Sequence, residues 1–424
     1  MISHSVDTLP SGLKLVTIEA PHLHSAMVAV YVRVGSRHET EENSGVSHFL
    51  EHLFFRGSKG HPDPVRMNAK VEAVGGNLNG VTTRDASTYY SPVHPGGVGV
   101  ALEVLGDMLT RPRLEGLALE KRIILEEMLD EVDEHGRDVD LENLSKRALW
   151  GKHPMAHKIA GTTDSVQAMT LARVKAHYQR HYRAGNMVVA VAGPVSRRTV
   201  RAQAAQAFRH VKPGPMSTET APPPPKPGPR WNHTHLPDAQ TELRLSFFAV
   251  AEDHPDAKVL HLLRRVLDDG LSSRLPHDVV ESRGLAYSVG ASFETFHDSG
   301  LFEIDAACAP QNVPALVRQL LKTLGTLSRG EISAEELKRA KQRSAMHFGF
   351  LQDSPADLAG WYGGNLLFRQ PVSIALRIKE ANAVTKAQLV AVAKRYLRPE
   401  RMLLTTVGPR VQRAALRRII FRGA

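Results

Sequence analysis

The segment His48-Phe49-Leu50-Glu51-His52 puts two imidazoles and a carboxylate within five residues. On an α-helix, residues four apart project from one face, so His48 and His52 can bind one metal ion together. Glu51 lies three residues after His48 on the same side, within reach of a water held by that ion. This H-x-x-E-H order suits hydrolysis assisted by zinc. The ion lowers the pKa of its water towards neutrality, and the nearby carboxylate takes the proton as the water attacks an amide carbonyl. Such sites use three protein ligands and keep a fourth position open.

The third ligand is sought on the acidic stretch Glu115 to Asp133, which reads as one long helix. Glu126 has Arg122 four residues back and reads as half of a surface ion pair. Glu127 has Ile123 and Ile124 behind it, on the stripe expected to face the core. A carboxylate there needs a cation, and zinc supplies one. Glu127 is therefore the expected third ligand, with one Zn2+ per chain. Glu120, two turns earlier on the same face, is placed to orient a ligand or help move a proton. His177 and His181 are also four apart, but no glutamate accompanies them and Lys175, Arg180 and Arg183 crowd the area. They read as a solvated helix face. His153 and His157 flank Pro154, which disfavours a regular helix across the pair.

These residues must be positioned by a chain of 424 residues, too long for one ordinary core. With 42% hydrophobic and 23% charged residues, it has the make-up of a folded globular protein. Residues 213–230 hold eight prolines, four of them consecutive at Pro222–Pro225, and read as a semi-rigid polyproline II spacer. The expected organisation is a zinc-binding domain at 1–212, the Pro-rich linker at 213–230, and a second domain at 231–424 that binds no metal. On this reading each half folds by itself.

The halves look like a diverged repeat. The first gives a strand (26–34), helices (45–55 and 64–74), a strand (88–93), an apolar helix (97–109) and the acidic helix (115–133). The second gives a strand (242–249), helices (256–268 and 273–281), a strand pair (286–293 and 301–307) and helices (313–327 and 334–348). The fold class implied is α+β: two duplicated α/β domains, each a mainly antiparallel sheet covered by helices.

With these motifs in hand, the chain resembles the pitrilysin/insulinase family of zinc metallopeptidases, in its short two-domain branch with mitochondrial processing peptidase and bacterial relatives. His48 to His52 match the family's metal helix, and Glu120 and Glu127 its paired downstream glutamates. Gly75-Gly76-Asn77-Leu78-Asn79, followed by Asp85 to Val93, is similar to its glycine-rich turn and substrate-binding edge strand. His153-Pro154, Ala160-Gly161-Thr162, Tyr182 to Gly193 and Gly284 to Val289 also match. The resemblance implies that two such chains form a clamshell around a chamber for peptides or unfolded polypeptide segments. It also implies a catalytic role for Tyr287. Members that contribute an Arg and a Tyr from the second domain place the Arg seven residues earlier, where this chain has Val280. Either Arg283 or Arg274 substitutes, or a related subunit in a heterodimer supplies the Arg/Tyr pair; otherwise the partner is a second copy of the chain.

Independently of the resemblance, an exposed edge strand can bind an extended peptide by adding it to the sheet. Gly75 and Gly76 would permit close backbone approach beside such an edge. The competing reading is a non-catalytic structural subunit of the same fold. A nucleic-acid function is disfavoured. The net charge of +10 is concentrated after residue 212, and Arg410, Arg413, Arg417, Arg418 and Arg422 form a basic tail without acidic neighbours. No apolar run reaches membrane-spanning length; Met187 to Gly193 is among the longest. The single Cys308 excludes an intrachain disulfide, and the expected location is cytoplasmic.

Overall fold

Eleven strands form among the described residues, and they pair into two sheets. The structure is a computed structural model describing residues 2–224, 226 and 228–422; Pro225 and Pro227 of the expected linker lie outside the described residues. The first sheet contains β1 (Ser3–Thr8), β2 (Lys14–Glu19), β3 (Ala26–Val32), β4 (Asn79–Thr82), β5 (Ser87–Val93) and β6 (Met187–Gly193), in the order β1-β2-β6-β3-β5-β4. The second contains β7 (Arg230–His235), β8 (Thr241–Ala249), β9 (Ser288–Thr295), β10 (Gly300–Cys308) and β11 (Leu403–Gly408), in the order β7-β11-β8-β10-β9. Every pairing is antiparallel except β2 with β6 and β7 with β11. Without β1, the first sheet has the strand order and strand senses of the second, as duplication predicts.

The helices of the first half are α1 (Val46–Phe54), α2 (Pro64–Glu72), α3 (Val98–Thr110), α4 (Leu117–Glu127), α5 (Leu141–Trp150), α6 (Thr163–Gln167), α7 (Leu171–His181) and α8 (Arg197–Ala207). Period-3.6 apolar stripes on α1, α3 and α8 share one buried core with the alternate residues Val28, Val30 and Val32 of β3, including Phe49, Leu53, Leu105 and Met108. The other face of this sheet is buried too. It is covered by a stretch from late in the chain, α12 (Pro355–Ala359) and the following Gly360–Gly364 turn. Gly363 is required there, because a Cβ would stand 2.4 Å from Ala190 Cβ and 2.9 Å from the Tyr31 ring. Burial on both faces explains why β6 reads as an unbroken apolar run.

The second sheet packs Leu245, Phe247 and Ile304 against α9 (Ala257–Leu267) and α10 (Val313–Ser328). Helices α11 (Ala334–Leu351), α13 (Ile374–Ala383), α14 (Lys386–Tyr396) and α15 (Arg413–Arg422) complete the chain. Its other face receives α5, from the first half of the sequence. Leu149 and Trp150 pack with Phe296, Leu301 and Leu403. The fully buried Lys146 ammonium donates to Glu303 at 2.6 Å and to Glu294 at 2.9 Å.

The division into units therefore differs from a single cut at the Pro-rich segment. One unit comprises residues 1–128, 157–220 and 349–372, the other 129–156, 221–348 and 373–424. A strand is amphipathic across its two faces, and each sheet takes the cover for its second face from the other half of the sequence. The Pro-rich segment is also more than a spacer. Residues up to Thr220 belong to the first unit, where Glu219 accepts from Arg33 at 2.8 and 2.9 Å and from His38 at 2.9 Å. Separate folding of residues 1–212 is accordingly not expected: the fragment would expose Met27, Ala29, Tyr31 and Ala190. Expressed alone it should aggregate or lack a cooperative thermal transition; a soluble, cooperatively melting fragment would overturn the interleaved division.

Candidate metal centre

Helix α1 begins where the chain turns through Gly45 at φ 87°. A Cβ there would lie 2.5 Å from the Ala160 carbonyl oxygen, and a Cβ at Gly161 would likewise stand 2.5 Å from the Ser44 carbonyl oxygen. That close contact accounts for the sequence Ala160-Gly161-Thr162. The first amides of the helix are satisfied by the buried Glu39 carboxylate, which accepts from Gly45 N at 2.6 Å and Ser47 N at 2.8 Å. Burial pushes the Glu39 carboxyl up to about 7 against the pull of these bonds.

His177 and His181 are not a solvated face. The stripe Val174, His177, His181 of α7 is buried. His177 Nε2 pairs with Ser47 Oγ at 3.0 Å, and His181 Nδ1 with Ser217 Oγ at 2.8 Å. Burial pushes His177 well below the usual imidazole range and His181 down to about 3, so both are neutral props behind α1.

On the opposite side of α1, His48, His52 and Glu127 each present one ligand atom, and these atoms lie within 4.8 Å of one another. Glu127 Oε2 is 3.5 Å from His52 Nε2 and 3.9 Å from His48 Nε2. His52 Nδ1 donates to Glu120 Oε2 at 3.0 Å, which orients the ring so that Nε2 faces Glu127. Burial, with His52 close by, pushes His48 down to about 4 and leaves its imidazole neutral near neutral pH. Two imidazole rings and a carboxylate thus converge on one place. A divalent cation of zinc's ligand preference fits this donor set, and the set leaves coordination positions for water.

Glu127 reaches this place differently from the expected buried stripe. Helix α4 stops at Glu127 and tightens into a 3-10 turn at Met128–Glu131, so the carboxylate sits at the helix end with a half-exposed side chain. Glu120 is the buried member of the pair, and Arg56 Nε donates to its Oε1. Glu126 faces solvent, and no ion pair with Arg122 forms among the described residues.

Glu51 lies beside the set. Thr82 Oγ1 donates to its Oε2, and burial raises its carboxyl above the usual range. Thr82 and Gly80 belong to β4, whose outer side is unpaired because the sheet ends there. The edge strand is thus β4 rather than Asp85 to Val93: β5 is flanked by β3 and β4. Gly80 and Thr82 were not singled out in the sequence; their signal was the small-x-polar alternation just after Asn79. Gly75, at φ 72°, and Gly76 shape the turn before β4. Gly76 fits against Val93 and Pro92, and Asn77 and Asn79 follow at the surface. An open cleft of about 590 Å³ beside Glu51 and His52 is walled by Phe55, Val65 and Ile123.

Tyr287 and Arg283 belong to the second unit and are exposed, and Arg283 donates to Ser282 Oγ at 3.4 Å. Arg274 is occupied: it donates to Glu336 at 2.5 and 2.9 Å and to Thr326 Oγ1 at 2.7 Å. It is not free to take the role of the arginine missing at Val280.

Residues 14–163 match the family model described as insulinase (peptidase family M16), and residues 168–344 the model described as the peptidase M16 inactive domain. An uncharacterized zinc protease of Mycobacterium bovis is 31% identical over 96% of this chain and 94% of its own length. The mitochondrial-processing peptidase subunit beta of Dictyostelium discoideum is 27% identical, over 95% of this chain and 88% of its own. The crystal structure of a protease from Helicobacter pylori superposes with a TM-score of 0.89 at 23% identity, covering 96% of this chain and all of that one, which establishes the shared fold. With its H-x-x-E-H helix, its two sheet-and-helix units and relatives named as zinc proteases, this chain belongs to the insulinase family of peptidases, M16.

Proposed function

We propose that the chain is a zinc-dependent endopeptidase that cleaves peptides or unfolded polypeptide segments, working as a homodimer whose two copies enclose a chamber. The observation that carries this reading is the convergence of His48, His52 and Glu127 beside Glu51 and an unpaired edge strand. One zinc ion bound by these three residues would supply a Lewis-acidic centre that polarises the scissile carbonyl and acidifies a water. Glu51 takes the proton of the attacking water and delivers it to the leaving amine. Glu120, itself held by Arg56, fixes the tautomer and orientation of His52. Strand β4 pairs with the substrate backbone, while the cleft walled by Phe55, Val65 and Ile123 takes an apolar side chain. Tyr287 is assigned as a phenolic donor to the oxyanion, and Arg283 as a contact to the substrate.

Metal content separates the candidate carboxylates. Glu127→Gln should lower zinc affinity by about 10-fold or more, since a ligand is lost, whereas Glu126→Gln should leave the zinc stoichiometry of the purified protein unchanged. The reverse pattern would reassign the ligand. Glu51→Gln should retain zinc yet lower turnover of an unfolded polypeptide by about 100- to 10,000-fold, as loss of a general base does. Undiminished turnover in this variant would remove Glu51 from the mechanism.

For the homodimer, native mass spectrometry should report two copies, and Tyr287→Phe should lower turnover on the order of 100-fold. A pure chain that is inactive until a related subunit is added, and then insensitive to Tyr287→Phe, would assign a heterodimer in which the partner supplies the Arg/Tyr pair.

A further inference from the structure

Strand β4 alternates its side chains between two faces, so Gly80 and Thr82 point the same way while Asn79 and Val81 point the other. The Gly80/Thr82 face lies against α1. A Cβ at Gly80 would stand 2.8 Å from Glu51 Cγ and 3.0 Å from the Phe55 ring, so the strand passes directly over the Glu51 side chain. One step along, the buried Thr82 hydroxyl donates to Glu51 Oε2. Oε1 has no hydrogen-bond partner among the described residues. Glu51 is a long side chain with three rotatable bonds on a helix surface, and this hydrogen bond is what ties its carboxylate to the sheet.

We propose that Thr82 is a positioning residue: its hydroxyl pins Oε2 of Glu51 to the edge strand and leaves Oε1 as the oxygen that handles the proton. The inference rests on the peptidase reading and adds a coupling to it. A peptide that adds to β4 becomes hydrogen-bonded to the strand that also holds the base. The scissile bond and the base are then located by one rigid element rather than by two independent ones. An entropic cost of aligning them is thereby met when the sheet forms. Valine matches threonine in shape but cannot donate, and serine keeps the hydroxyl without the methyl, so the two substitutions separate the hydrogen bond from packing.

The test uses the full chain carrying Thr82→Val and Thr82→Ser. Thr82→Val should lower kcat by about 10- to 100-fold with KM changed less than about threefold, and Thr82→Ser should recover kcat to within about threefold of the parent. Zinc affinity, measured by titration of the metal-free proteins, should be the same in all three, since no ligand is touched. In crystal structures of the metal-free proteins, the Glu51 carboxylate should leave β4 in Thr82→Val and stay on it in Thr82→Ser. That last readout does not depend on activity, so it stands even if the parent chain cleaves no peptide. A Thr82→Val protein with unchanged kcat, a serine variant as impaired as the valine one while equally stable to heat, or a Glu51 carboxylate that keeps its place without the hydroxyl would each overturn the proposal.

Discussion

Two imidazoles and a carboxylate are held facing one another, with ligand atoms within 4.8 Å of each other. A divalent cation fits such a set, and much of the first unit can be understood as the scaffold that imposes it. His48 and His52 need a rigid helix, and Glu127 needs a second helix that ends at the right point. His52 needs the buried Glu120 behind it, and Glu120 in turn needs Arg56. Each step outward trades a cost in local polarity for one partner that satisfies it.

Helix α1 is fixed at its start by an unusual combination. A buried glutamate takes the place of the common serine or aspartate cap, and Gly45 and Gly161 bring two loops into backbone contact. Behind the helix, His177 supports Ser47 and His181 reaches Ser217. Within the Pro-rich segment, Glu219 sits among Arg33 and His38; burial pushes its carboxyl up, but hydrogen bonds from His38 and Arg33 outweigh this and hold it well below the usual range. The early part of that segment is therefore clamped to the unit that carries the candidate metal centre.

The two sheets solve one problem in the same way. A sheet covered on one face only would leave apolar side chains such as Tyr31 and Ala190, or Leu301 and Leu403, in water. Each is covered instead by a short stretch from the other half of the sequence: 349–372 for the first sheet and α5 for the second. In the second, the buried Lys146 has to meet Glu294 and Glu303, a geometry that tolerates little displacement of α5 because an unpaired buried ammonium is costly. One of the sheet edges, β4, lies next to Glu51 and is short, with Gly80 and Thr82 turned inward.

The sequence by itself determined the H-x-x-E-H helix and the duplication, and it singled out Glu127 as the candidate third ligand. These rest on local periodicity, which places His48, Glu51 and His52 on one helical face whatever surrounds them, and on a repeated order of strands and helices. Glu127 does lie beside His48 and His52, but for a different physical reason than the expected buried stripe: its helix ends there, and the carboxylate opens outward instead of facing the core. Burial of His177 and His181, the occupation of Arg274 by Glu336, the identity of β4 as the edge, and the Thr82–Glu51 bond were decided only in three dimensions. The same holds for the exchange of segments between the halves. In each case the partner lies dozens of residues away along the chain, and a residue's own neighbours in sequence carry no information about which distant surface will desolvate it or pair with it.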